Sequence, residues 1–300
     1  MPITLSAINL KRSVTSALDD YRNKPGAFAL DYVAPYVDSP TKSGHMPKFS
    51  RAHMKLQDFE VALDGTAHKI DIGTEKTDYT CKDHSAEAML TKRMIASDTS
   101  GLIKGNNIAV RADEAMRLSR ENVLATALLA LSGTNPGTKW NATGGNAVKD
   151  IATQQGTIFG LINRIPMFGL CPVAVALQLR VQLALANGRQ KTDLPSMAEV
   201  AAWLGLTEIR VAMAQYDSAK PEKTVSMASL YGSTGFWLFH KPEVMDSSLP
   251  AFMATPRFQA LSKPRVYNTS QPDGFGIEVN DCSVVKSIDT NACYYSTNVI

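Results

Sequence analysis

The chain has 300 residues, a mass of 32.5 kDa and a formal net charge of +3, enough length for one large domain or two lobes with separate cores. Hydrophobic residues make up 44% and charged residues 20%, which excludes a disordered chain; the small net charge argues against a surface built throughout for nucleic acid. No basic segment followed by an apolar run opens the sequence, and the longest greasy stretch, Val123 to Leu131, is about half of the ~20 residues a membrane-spanning helix needs, so neither a signal peptide nor a membrane protein is expected.

Residues 1–46 are turn-rich, with Pro25, Pro35, Pro40 and Gly44 breaking any period. A short helix over Asn9–Arg22 and an otherwise extended arm are expected. Residues 47–82 alternate apolar and polar in bursts, Phe59 to Leu63 and Ala67 to Ile72, around Asp64-Gly65. That dipeptide between alternating runs predicts a two-stranded hairpin, one with too little apolar content to hold a core alone.

A long helix is predicted next. Ile108, Ala112, Ala115, Met116, Ser119 and Val123 form its apolar stripe, and Arg111, Asp113, Glu114, Arg117, Arg120 and Glu121 form the opposite, solvent-facing side. Asp113–Arg117 and Arg117–Glu121 are spaced as weak surface ion pairs. From Val123 to Leu131 the helix is apolar all round and should be buried, with Gly133 and Pro136 stopping it.

The middle of the chain alternates helix and strand. Asn146 caps a helix with the stripe Val148, Ile151, Ala152, Gln155, Ile158, Phe159 and Ile162. A short run at Met167–Cys171 leads to Pro172 at the start of a helix with Val173, Leu177, Val181 and Leu185 on one face and Gly188 at its end. Ser196 and Glu199 form a capping box for a helix ending at Leu204-Gly205, and Glu208 to Ala214 alternates as a strand. Strands follow at Phe236–His240, Arg265–Asn268, Phe275–Val279 and Tyr294–Ile300. The class is α+β.

The chemistry motifs fail one by one. Gly133 to Lys139 has three residues between its glycines and closes a helix rather than opening one, so it is a turn and not a phosphate loop. Tyr231 to Gly235 leads into a strand and lacks the spacing of a nucleophile elbow. Cys81 and His84, with His68 nearby, fall short of the four ligands of a structural zinc site. The other histidines (His45, His53, His240) are scattered, no cysteine belongs to a CxxC pair, and Cys81, Cys171, Cys282 and Cys293 read as reduced thiols of a chain made in the cytoplasm. Trp140, Trp203 and Trp237 suit core or interface anchoring. No catalytic, cofactor-binding or metal-binding residue is assigned, and no cofactor and no enzymatic activity are expected.

The order of arm, hairpin, long helix, α/β lobe and strand return resembles the Hong Kong 97-type fold of tailed-phage major capsid proteins. Asp78-Tyr79-Thr80-Cys81 with Ala86-Glu87-Ala88-Met89-Leu90 is similar to the segment in which that family's extended loop (the E-loop) rejoins its peripheral (P) domain. Asn122 to Leu128 is similar to the end of its spine helix. Lys139-Trp140-Asn141 with Val148-Lys149-Asp150-Ile151 resembles the family's Lys-Trp-Ser…Pro-Ile-x-Asp-Ile passage into the axial (A) domain, and Met197 to Val211 resembles the next unit of that domain. The likeness spans about residues 30–300, with Ile165-Pro166-Met167 lacking the family's Pro-Asn step.

The resemblance implies an arm over 1–46, an E-loop over 47–85, a P domain over 86–138, an A domain over 139–240, and a strand return over 241–300. It implies a subunit that assembles through pentamers and hexamers into the icosahedral head around double-stranded phage DNA. The DNA would be contacted non-specifically on the inner face, with scaffolding, portal and decoration proteins as possible partners, and the subunit would reside in the virion after assembly in the host cytoplasm. About 46 residues before the loop are too few for a built-in scaffolding domain, which points to a separate scaffolding protein or none. Some relatives join an E-loop lysine to a neighbour's asparagine. Lys55, Lys69 and Lys76, with Asn280, Asn291 and Asn298, are the residues available here, but the lysines lie among Asp64, Asp71, Glu75 and Asp78, which favour the protonated, unreactive amine. Non-covalent assembly is therefore expected. An encapsulin-like nanocompartment shell is the alternative of the same fold, and a cytoplasmic α/β enzyme the alternative from another class.

Overall fold

A computed structural model describes residues 28–49, 75–97, 105–188, 194–219, 224, 226–241, 250–259, 264–270 and 273–300. The expected helix over Asn9–Arg22 and the hairpin turn at Asp64-Gly65 lie outside these residues. The first described segment belongs to the core, where an extended arm is expected. Leu30–Val33 forms one helical turn (α1), and Ala29, Leu30, Tyr32, Val33 and Ala34 are all buried. Tyr36–Ser39 (β1) follows. Ser43–Lys48 (β2) then pairs antiparallel with Glu75–Thr80 (β3), from Ser43 opposite Thr80 to Lys48 opposite Glu75. The predicted hairpin strands, Phe59 to Leu63 and Ala67 to Ile72, lie outside the described residues.

Lys82–Thr91 (β4) and the short helix Lys92–Ser97 (α2) lead to the 25-residue helix Gly105–Leu129 (α3). Gly133–Thr134 (β5) follows it directly. Ala147–Ile162 (α4) starts where Asn146 accepts a hydrogen bond from the Lys149 N–H, as its sequence predicts. Phe168–Pro172 (β6) runs straight into Val173–Ala186 (α5). Met197–Trp203 (α6) opens on the predicted capping box, with both the Ser196 and the Glu199 bond present. Glu208–Ala212 (β7), Gln215–Asp217 (β8), Met227–Ser229 (β9) and Phe236–Phe239 (β10) come next. The chain returns through Met253–Phe258 (β11), Arg265–Ser270 (β12), Asp273–Ser283 (β13), Lys286–Ser287 (β14) and Cys293–Ser296 (β15).

Two sheets result. In the first, β13 lies between β12 and β4, both antiparallel to it, and its far end meets β11, which carries β1 in parallel on its other side. The second runs β5-β15-β10-β6-β7. Its β6 and β7 are parallel, as the α5–α6 crossover between them requires.

Helix α3 joins the two. Its first half lays Ala109, Ala112 and Met116 on Ile277 and Val279 of β13. Its second half brings Leu124, Ala125 and Leu128 into the larger core with Trp237, Phe239 and Tyr231, and Trp237 Nε1–H donates to the Leu128 carbonyl at 3.2 Å. On the other face of the second sheet, Trp140 packs edge-on to Phe236, and α4 and α5 supply Ile151, Ile158, Val175 and Leu179.

The helix is rotated from the predicted stripe by about one position. Ala115, Ser119 and Val123 are exposed, whereas Asp113, Arg117, Arg120 and Glu121 are buried. The predicted Asp113–Arg117 pair exists at 3.4 Å, inside the protein rather than on its surface, while Glu121 bonds elsewhere. The apolar second half is also only half buried. Leu124 and Leu128 are inaccessible, but Val123 is 50% and Leu129 44% exposed.

Candidate assembly surfaces

Three polar ties join distant segments of the chain. At the middle of α3, Arg120 Nη1 reaches Asp281 at 2.5 Å and the Tyr36 hydroxyl at 2.9 Å. Arg257 Nε donates to the other Asp281 oxygen at 2.9 Å, and the Ser283 hydroxyl completes its shell. One carboxylate thus joins α3, β11 and β13, with Tyr36 of β1 held between the two guanidinium groups. The next residue, Glu121, accepts from the Ala29 and Leu30 amides and the Tyr231 hydroxyl. At the α4 end, Trp140 N–H donates to the Val299 carbonyl at 2.6 Å, and its indole donates to Asp150 at 2.9 Å.

What remains outside is apolar in specific places. Helix α5 faces inward with Val175, Ala176, Leu179 and Leu183, and its predicted stripe is the outer one: Val173, Leu177 and Leu185 are each 45% exposed or more. Phe159 and Leu161 of α4 and Ile165 just beyond it are exposed as well. A second set, Met213, Tyr216 and Met227, sits at the β8–β9 ribbon. The β2–β3 ribbon is different in kind. It carries polar cross-strand pairs, Lys48–Glu75 at 3.1 Å and His45–Asp78 at 2.5 Å, and Lys42–Asp83 at 2.5 Å lies beside it. Single side chains of this sort need no explanation, but clusters on one helix pair are characteristic of surfaces that meet other protein.

The residues weighed for chemistry are dispersed. Cys81 is buried with its thiol on the Pro256 carbonyl, His84 lies on β4, and His68 is outside the described residues. Burial pushes the Cys171 thiol up to about 12 and raises Cys81 and Cys293 too. Burial, then the hydrogen bond to Asp83, lifts Cys282 to about 12. None of these thiols is a thiolate near neutral pH. Lys76 is exposed on β3, Asn280 is half-buried on β13, and Asn291 and Asn298 are exposed, while Lys55 and Lys69 lie outside the described residues. Trp140 and Trp237 are core, and Trp203 is half-exposed at the end of α6, beside an open groove of about 430 Å³ between the 141–146 turn and α5. Among the described residues no helix is long and apolar enough to cross a membrane.

Sequence reading grouped the α5 stripe on one face without telling whether that face points in or out. The signal was present: the helix is apolar nearly all round, and a helix lying on a single sheet cannot bury every face.

No protein-family model and no curated protein matches the chain. Solved structures do. A phage-related protein from Bordetella bronchiseptica RB50 superposes with a TM-score of 0.74 at 16% identity, covering 95% of this chain and 97% of that one. The capsid of Myoviridae phage XM1 gives 0.52 at 12%, covering 86% and 84%. The SrpI encapsulin complex of Synechococcus elongatus PCC 7942 gives 0.54 at 12%, covering 93% and 89%. Across nearly its whole length, then, the chain has the mixed α+β fold of phage capsid proteins, shared with encapsulin.

Proposed function

We propose that the chain is a shell-forming subunit, the major capsid protein of a tailed phage, which assembles through pentamers and hexamers into the icosahedral head that holds double-stranded DNA. The observation that carries this reading is the likeness, over 93% and 86% of the chain, to an encapsulin and to a phage capsid. In this reading the first sheet with α3 acts as the peripheral domain, the second sheet with α4 to α6 as the axial domain, and the β2–β3 ribbon as the base of the E-loop. The outward apolar residues of α3, α4 and α5 are then covered by neighbouring copies. The subunit would be made in the host cytoplasm and reside in the virion, and any scaffolding, portal or decoration protein would meet it there.

A nanocompartment shell is the second reading, and the encapsulin match supports it at a TM-score close to that of the XM1 capsid. Negative-stain imaging and analytical ultracentrifugation of the full-length chain test both. Closed particles or capsomers are expected, and boiled particles should run in SDS as a single band near 32.5 kDa. A monomer at every concentration would overturn the shell reading. Particles from the native source that hold DNA favour the capsid, and particles that hold a cargo protein favour the nanocompartment.

A further inference from the structure

The groove between the 141–146 turn and α5 spans about 430 Å³, the size of a small-ligand site. Among the described residues no ionisable side chain lines it. Its walls are fixed from behind. The turn closes on itself, with the Ala142 N–H on the Lys139 carbonyl and the Gly145 N–H on that of Ala142, and Gly145 lies so close to Lys139 that a methyl group there would clash. On the helix side Gln178 and Gln182 stand one turn apart on α5, and both of their amide nitrogens donate to the Trp140 carbonyl.

This arrangement leaves hydrogen-bonding capacity unspent. The side-chain carbonyl oxygens of Gln178 and Gln182, the carboxamide of Asn141, the hydroxyl of Thr143 and the indole N–H of Trp203 have no partner among the described residues. Donors and acceptors are both present, none is charged, and they lie beside a partly exposed tryptophan.

Ligand classes differ in what they require. A phosphate or carboxylate needs a cation, and none lines the groove. An extended peptide needs a free strand edge, whereas these walls are a helix and a closed turn. A nucleobase held between two aromatic faces needs a second ring, but Trp140 is 1% exposed and its indole already donates to Asp150. A neutral sugar ring needs uncharged donors and acceptors for hydroxyls that themselves do both, and an apolar surface for its C–H face.

We propose that this groove binds a neutral pyranose, free or as a unit of a glycan: Asn141, Thr143, Gln178 and Gln182 bond its hydroxyls, and Trp203 meets the C–H face of its ring. The inference does not rest on the shell reading.

Titration calorimetry of the full-length chain tests it with glucose, galactose, mannose, N-acetylglucosamine, the disaccharides maltose and cellobiose, glucuronate and adenosine. At least one neutral sugar is expected to saturate with a Kd of about 1–10 mM, and glucuronate to bind at least about tenfold more weakly, since its carboxylate meets no cation. Asn141→Ala, on the exposed turn, and Trp203→Ala should each weaken the best sugar about fivefold or more. Should Trp203→Ala not fold, Thr143→Ala takes its place. A disaccharide that binds more tightly than its monomer assigns the ligand to a glycan, and equal binding assigns it to free sugar; either upholds the site. No saturation by any neutral sugar below about 100 mM, glucuronate or adenosine binding as tightly as the best sugar, or unchanged affinity in the variants would overturn the proposal.

Discussion

Replacing Asp281 with alanine tests the buried ion pair that joins α3 to β13. Asp281 is 2% and Arg120 5% exposed, and the pair meets at 2.5 Å. Without the carboxylate, Arg120 keeps the Tyr36 hydroxyl at 2.9 Å and the longer Ser283 contact at 3.5 Å, but no anion. Arg257 is 21% exposed and can turn its charge to water, whereas Arg120 cannot. Breaking a buried pair in this way costs about 3–5 kcal/mol, of the same order as the whole stability of many domains. The converse also follows. Arg120→Met with Asp281→Leu removes both charges and leaves neither stranded, so the double variant should lose at least about 1 kcal/mol less than the two single losses added together. Urea unfolding of unassembled subunits, followed by far-UV circular dichroism, reads both quantities from the midpoint at constant slope. An Asp281→Ala loss below about 1 kcal/mol, or strictly additive single variants, would refute the view that Arg120 depends on this carboxylate.

Two further tests concern packing. Leu128→Asp buries an unpaired charge at an inaccessible site and should yield insoluble protein at a cost of several kcal/mol, roughly 4 or more, whereas Val123→Asp, 50% exposed on the same helix, and Arg111→Ala, also exposed, should leave the isolated subunit soluble in an expression assay. Gly145→Ala would drive a methyl group into the backbone of Lys139 and Trp140 and should lower the thermal midpoint at a cost of about 1–3 kcal/mol, while Gly156→Ala on α4 meets open space and should raise it by roughly 0.5–1 kcal/mol.

What local pattern carries was legible. Asn146, Ser196 and Glu199 act within one turn of their own helices, so caps and helix starts could be read directly. The rotation of α3 could not. Asp113, Arg117, Arg120 and Glu121 read as surface because charge normally faces water, and the groups that make their burial tolerable come from distant chain: Asp281 is 161 residues from Arg120, and Ala29 is 92 from Glu121. The same limit hid the tie of residues 29–34 to the core. Their turn-rich flanks suggest an arm, and only the Glu121 carboxylate that receives their amides shows otherwise. For α5 the period was legible and the side was not, because a nearly all-apolar helix gives no contrast from which to tell inside from outside. The resemblance drawn from segment order anticipated the fold because order survives where identity has fallen to 16% or less among the structures compared.

The pairing of β1 with β11 sets Tyr36 opposite Thr255, and the last strand, β15, fills the gap between β5 and β10. Both closures join chain made early to chain made late, so loop-closure entropy must be met before either sheet is whole. On the ribosome, β10 would emerge with one edge open and Trp237 without its stacking partner Tyr295, which lies 4.8 Å away in the finished protein. A chain halted before residue 293 therefore carries an unpaired, aromatic-rich strand edge, the kind of edge on which aggregates grow. In such a topology both large sheets can close only once synthesis reaches the last strands of the chain.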